Sequence, residues 1–159
     1  MEKKNIVAFF NNIEFSIAQV ILWIFVVLTS IQVILRYIFN SPLDWPEELN
    51  QILLVWMTFI GGIGLSRKNL HLRVDIVDDF LPKKILIFLR SFFNISTIIF
   101  MAIIIIGGIE LFNEMIYERT PAMRLKLSYV YLIVPISSFF IIIIYLFQLH
   151  KDYKSFFKE

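Results

Sequence analysis

Four uncharged, strongly apolar stretches, residues 15–35, 49–66, 91–109 and 127–149, run through this chain of 159 residues. An α-helix needs ~20 residues to cross about 30 Å of hydrocarbon, and even the shortest stretch reaches that length when its ends snorkel. The expected fold is an all-α integral membrane protein with four transmembrane helices, over about 15–37, 46–66, 84–112 and 127–149. With 58% hydrophobic and 18% charged residues and a mean hydropathy of +0.77, almost all of the mass belongs to the membrane. The longest connector, between 67 and 90, is too short for a separate soluble domain, so residues 1–159 read as a single membrane domain.

Charge sets an expected orientation. An even number of spans puts the N-terminal residues, the middle connector and the C-terminal tail on one side with eleven Lys/Arg, and leaves four, Arg36, Arg119, Arg124 and Lys126, on the other. By the positive-inside rule both termini are cytoplasmic. The net charge of +2, spread among loops, gives no footprint for nucleic acid. The absence of Cys excludes disulfides, thiolate metal sites and Cys nucleophiles. Residues 1–14 read as an interfacial amphipathic helix, because Ile6, Phe9, Phe10, Ile13 and Ile17 share one helical face. The first apolar stretch exceeds a signal peptide's usual core and no small-x-small site follows it, so it reads as a retained helix.

The connectors carry the informative polar residues. Arg36 and Tyr37 stand where snorkelling and aromatic-belt residues belong, and Asn40-Ser41-Pro42 is turn chemistry. Asp44 with Glu47 resembles a capping box, and Glu47 and Glu48 lie in the positive first turn of the second helix. A helix start does not itself require Trp45 and two adjacent glutamates, which leaves a partner-facing or ion-pairing role open. Farther along, Thr58, Gly62 and Ser66 form a small-residue stripe that lets another helix approach closely. The stretch from Leu70 to Ile76, with His71 and Asp75, reads as an extended start followed by a short amphipathic turn on the cytoplasmic surface, closed by Pro82. The third helix is expected to begin near Lys83 and to carry Glu110, Glu114 and Glu118 in helical phase until Thr120-Pro121 breaks it. Roughly 35 residues would give ~50 Å and an acidic stripe beyond the bilayer. A charge run is ordinarily a solvated helix face, but beside Arg119 and Arg124 this one is a candidate docking surface. Pro135 is expected to kink the fourth span.

No Ser/His/Asp set, phosphate loop or metal-ligand spacing is present, and His71 with Asp75 is no metal site, so neither enzyme chemistry nor a cofactor is expected in this chain. A self-sufficient ion or anion transporter normally carries ionisable residues or broken helices near the midplane. Here the deep polar residues are neutral ones such as Gln19, Thr29, Thr58, Asn94 and Thr97. The chain therefore reads as an accessory subunit, with Asn94 as a helix-to-helix hydrogen-bonding residue.

Arg36-Tyr37, then Asp44-Trp45-Pro46-Glu47-Glu48, Trp56, Gly61-Gly62 and His71-Leu72-Arg73-Val74-Asp75 follow in an order and spacing that resembles the small permease subunit of tripartite ATP-independent periplasmic (TRAP) transporters, the DctQ-like family. Thr120-Pro121-Ala122-Met123, with Tyr129 and Pro135 beyond, resembles that family's entry into its last helix. The resemblance covers essentially the whole chain; Arg124 and Lys126 depart from it by placing charge where neutral residues are expected.

The resemblance implies a secondary transporter of the bacterial inner membrane in three parts. A periplasmic solute-binding protein captures an organic acid, usually a carboxylate such as a C4-dicarboxylate or sialic acid. A large permease carries it across with sodium ions, and the small subunit braces that permease and helps receive the binding protein. On the matching positions, Arg36, Tyr37, Trp45, Glu47, Glu48, Trp56, Gly61 and Gly62 are expected to brace internally or touch the large subunit, and His71 and Asp75 to fix the cytoplasmic connector. Glu110, Glu114, Glu118, Arg119 and Arg124 are the expected periplasmic docking residues. Two rival readings are a self-dimerising four-helix exporter, whose class needs a carboxylate inside its first helix where this chain has Glu14 before the span, and a structural or regulatory membrane protein without a transport role.

Overall fold

A computed structural model describes residues 13–67 and 83–156. The expected interfacial helix, apart from its last two residues, and both His71 and Asp75 lie outside the described residues. The chain forms α1 (Ile13–Tyr37), α2 (Trp45–Arg67), α3 (Lys83–Glu114), α4 (Leu127–Tyr131) and α5 (Ile133–Phe156). Among the described residues, four helical segments are long and apolar enough to cross a membrane, the last of them spanning α4 and most of α5. Among the described residues there is no strand, only one isolated bridge between Arg119 and Lys126. The fold is all-α.

The helices pack in the order α1, α2, α5, α3. Helix α1 packs on α2, α2 on α5, and α5 on α3, while α1 has no substantial contact with α3 or α5. This is an open row rather than a closed four-helix ring. The two interior helices are the more buried: 28% of the most apolar window is buried in the α4–α5 span and 17% in α2, against 6% in α1 and in α3.

The inside of this row holds small and polar residues beside a few large apolar ones, Ile21, Val130, Ile141 and Tyr145, while most of the large apolar side chains lie outside. Pro46, Ser66, Ser128, Ser137 and Ser138 are fully buried, whereas Trp23, Phe88, Ile103, Ile106 and Phe147 are exposed. Lipid tails are as apolar as leucine, so helices in a bilayer gain by close approach and internal hydrogen bonds rather than by hiding large side chains from water. Glycine sets two of the approaches. A Cβ on Gly64 would lie 2.9 Å from the Phe15 ring, and one on Gly108 would lie 3.1 Å from the Pro135 ring. Its neighbour Gly107 faces open space.

One expectation about a helix end is corrected. Helix α3 stops at Glu114, with Met115 N–H closing its last turn on the Leu111 carbonyl. Its 32 residues give a length of about 48 Å, still longer than the hydrocarbon is thick. Glu118 therefore falls outside the helix, in the connector, and the acidic stripe is cut to Glu110 and Glu114. The reason is local: the carbonyl of Glu118 is taken by Leu127 N–H, which folds the chain back before a further helical turn can form. The last span stays helical through Leu132 (φ −57°, ψ −28°), whose N–H donates to the Ser128 carbonyl and whose own carbonyl accepts Ile136 N–H at 3.4 Å, so the gap between α4 and α5 is a local irregularity beside Pro135. Pro135 has no N–H for the carbonyl one turn back, and its ring seats against Gly108.

Candidate functional site

The polar residues gather at two ends. At the hairpin end lie the 38–44 and 115–126 connectors; at the other lie the start of α1 and the ends of α2 and α5.

Residue Asn40 makes the first turn. It adopts the left-handed region, φ 49°, which Asn tolerates better than most residues. Ser41 N–H then returns to the Leu35 carbonyl at 3.1 Å. The chain enters α2 through Trp45 and Pro46, and a proline in the first turn has no helical hydrogen bond to lose.

One turn further on, Glu48 does what neither a capping box nor a helix dipole required. Its Oε1 accepts the N–H of Ala122 at 2.6 Å and its Oε2 accepts the N–H of Met123 at 2.9 Å, across 74 and 75 residues of sequence. Bonds from N–H groups to an ionised acceptor are the stronger kind. Two parts of the sequence that stand out separately, Trp45-Pro46-Glu47-Glu48 and Thr120-Pro121-Ala122-Met123, are thus a clamp and the turn that it clamps.

The clamped turn is also closed on itself. Thr120 N–H donates to the Leu125 carbonyl and Arg124 N–H to the Thr120 carbonyl, at 2.9 and 3.0 Å. Leu125 N–H donates to the Thr120 hydroxyl at 3.1 Å, and Thr120 is buried. Arg124 sits at φ 54°, so the charged departure noted in the sequence falls at the point where the chain reverses. Arg119 Nη1 reaches the Arg124 carbonyl at 3.4 Å, and Lys126 lies over the Tyr129 ring.

Below this clamp, Trp56 donates its indole N–H to the Val130 carbonyl of α4 at 3.1 Å. Asn50 donates to the hydroxyl of Thr29 at 3.1 Å and so ties α2 to α1. Neither Asn50 nor this use of Thr29 was legible beforehand; an amide inside an apolar span was the available signal.

At the opposite end, Arg67 pairs with Glu14 at 2.6 Å. Gln148 donates to the Ser66 carbonyl at 2.8 Å, and the hydroxyl of buried Tyr145 meets the side chains of Ser66 and Thr97. The small-residue stripe is therefore used partly within the chain. Ser66 is buried, Gly62 faces Ile141 of α5, Gly61 faces Ala18 of α1, and Thr58 is exposed.

The remaining expected contact residues point outward. Arg36, Tyr37, Trp45 and Glu47 are exposed, as are Glu110, Glu114, Glu118, Arg119 and Arg124, with Tyr117 and Tyr129 among them. The structure brings Glu48 and Trp56 into internal bracing and leaves the others on the surface of the hairpin end. Among the described residues no cluster of His, Asp and Glu could hold a metal ion.

Fold and site together define a multi-pass α-helical membrane protein whose polar groups brace its own helices. The chain belongs to the DctQ component family of tripartite ATP-independent periplasmic transporters, which matches residues 25–154. That is a family of transporter components, not of enzymes. The chain is 32% identical over 121 residues to a Haemophilus influenzae protein named as a TRAP transporter small permease, covering 76% of this chain and 73% of the relative. It is 26% identical over 110 residues to the sialic acid TRAP transporter small permease protein SiaQ of Vibrio cholerae, covering 69% and 64%. It also matches the sialic acid TRAP transporter permease protein SiaT of Haemophilus influenzae at 32% over 83 residues, 52% of this chain but 14% of that much longer protein.

Proposed function

We propose that this chain is the small membrane subunit that braces the large permease of a TRAP transporter and helps dock a periplasmic solute-binding protein, for sodium-driven uptake of an organic acid. The observation that carries the reading is the open row α1, α2, α5, α3. A single layer of helices has two broad faces and no enclosed interior through which a solute would pass, which suits a wall for another membrane subunit. In SiaT a segment similar to this chain is part of a much longer permease protein, which supports a large permease as the partner.

In this reading the hairpin end faces the periplasm and both termini the cytoplasm, from the Lys/Arg distribution. The membrane is the bacterial inner membrane, and the sodium ions bind the large subunit. Sialic acid, as in the name of SiaQ, and C4-dicarboxylate, as in the name of a Vibrio cholerae DctQ protein 26% identical over 96 residues, define the substrate class.

The test is to tag the chain, extract it from native membranes in mild detergent and identify what co-purifies. A near-stoichiometric, many-helix permease is expected, and proteoliposomes holding both subunits and the binding protein should lose sodium-driven uptake when this chain is omitted. A chain that purifies alone, or that moves a solute by itself, would overturn the reading.

A further inference from the structure

The turn at 120–125 is exposed at its flanks, with Tyr117 92% and Leu125 43% accessible, yet its tip is held from below. Pro121 has no N–H, and the next two, those of Ala122 and Met123, go to Glu48 rather than to the connector's own carbonyls. The connector's internal bonds, Thr120 with Leu125 and Glu118 with Leu127, close its base. The tip therefore takes its position from a carboxylate on α2, and α2 is also the helix that joins α1 to α5. We propose that Glu48 is a positioning residue for docking: it holds the 115–126 connector in the shape that meets the solute-binding protein. This rests on the reading that the hairpin end receives that protein.

The chemistry makes the carboxylate hard to replace. Glutamate presents two acceptor oxygens to two N–H groups, whereas glutamine keeps one acceptor and turns an NH₂ donor toward the other N–H. Glu48→Gln thus preserves size and removes charge, with one bond lost and another weakened.

The experiment uses the complex of this chain with the large permease. Because the chain has no Cys, Tyr117→Cys gives a single labelling position for a spin label on the exposed flank of the connector. In the Glu48→Gln variant the label's spectrum is expected to sharpen. The binding-protein concentration that half-saturates uptake into proteoliposomes should rise about tenfold, as loss of a charge-assisted hydrogen bond predicts, while the rate at saturation stays unchanged. Glu48→Asp, which keeps the charge but withdraws the carboxylate by one methylene, should shift both readouts the same way by less, and it serves if Glu48→Gln fails to assemble with the permease.

An unaltered spectrum, a mobilised connector with unchanged half-saturation, or a loss confined to the saturated rate would each overturn the proposal. A Glu110→Lys/Glu114→Lys chain separates it from the reading beneath it. If that variant shifts half-saturation and Glu48→Gln does not, only the positioning role of Glu48 fails. If neither does, docking at this end fails as well.

Discussion

The α1/α2 seam and the α2/α5 seam share a helix and are held by different means. Between α1 and α2, neighbours in sequence joined by a short turn, shape does most of the work: the Phe15 ring lies over Gly64 and Ala18 lies over Gly61, with one amide, Asn50, reaching Thr29 and one half-exposed ion pair, Arg67 with Glu14, at the far end. Between α2 and the last span, taken as α4, α5 and the turn before them and remote from α2 in sequence, polar groups bind at three heights. Glu48 takes the N–H groups of Ala122 and Met123 just before α4, Trp56 donates to Val130 in α4, and Gln148 of α5 donates to Ser66 at the far end. A short turn keeps α1 and α2 adjacent whatever their surfaces, so shape need only refine their packing. A seam between distant segments has no such tether, and hydrogen bonds with fixed donors and acceptors select one register in a solvent without hydrophobic drive.

The sharpest way to break the shape-held seam is Gly64→Leu. The side chain would have to displace the Phe15 ring, and overpacking of this kind costs about 1–3 kcal/mol, read as a lowered thermal midpoint of the purified complex in detergent. Gly108→Leu should behave alike because the Pro135 ring cannot yield, whereas Gly107→Leu, which meets open space, should leave the midpoint unchanged.

The hydrogen-bonded seam should fail in smaller steps. Trp56→Phe keeps the ring and removes the donor, at an expected cost of about 0.6 to 1.7 kcal/mol, the range for single side-chain bonds in membrane helices. Gln148→Leu should cost less, about 0.6 kcal/mol, because its end of the seam is also held by Tyr145. The double variant should be additive within about 0.5 kcal/mol, as expected of sites with no shared partner. Strong non-additivity in the same thermal measurement would show that the seam moves as one unit and blur the contrast. The smallest effect belongs to Glu14→Gln, since the Arg67 side of that pair is 45% exposed. Its loss should be below about 1 kcal/mol and shrink further in high salt.

Much of this architecture was legible in the residues. The four apolar runs give the spans because a bilayer fixes their length, and Asn40-Ser41-Pro42 gives the first turn because few residues tolerate the left-handed region. The quartet Trp45, Glu47, Glu48 and Trp56 could be picked out as more than a helix start, but its members could not be sorted. Glu47 and Trp45 are exposed while Glu48 and Trp56 are tied to groups more than seventy residues away. Periodicity carried Glu118 onto α3 because spacing registers helical phase and not the backbone bond from Leu127 that ends the helix. Gln148 and Asn50 were passed over as lone polar residues in apolar runs, since nothing local reveals a partner on another helix.

By itself, then, the sequence determined that this chain is all-helical with four segments long and apolar enough to cross a membrane. That follows from the length and chemistry of segments taken one at a time. Only the tertiary structure decided that the helices lie in an open row with α5 between α2 and α3, and that Glu48 grips the turn before α4. Those depend on which backbone groups of one segment are left for side chains of another, a property of pairs of segments that no single segment contains.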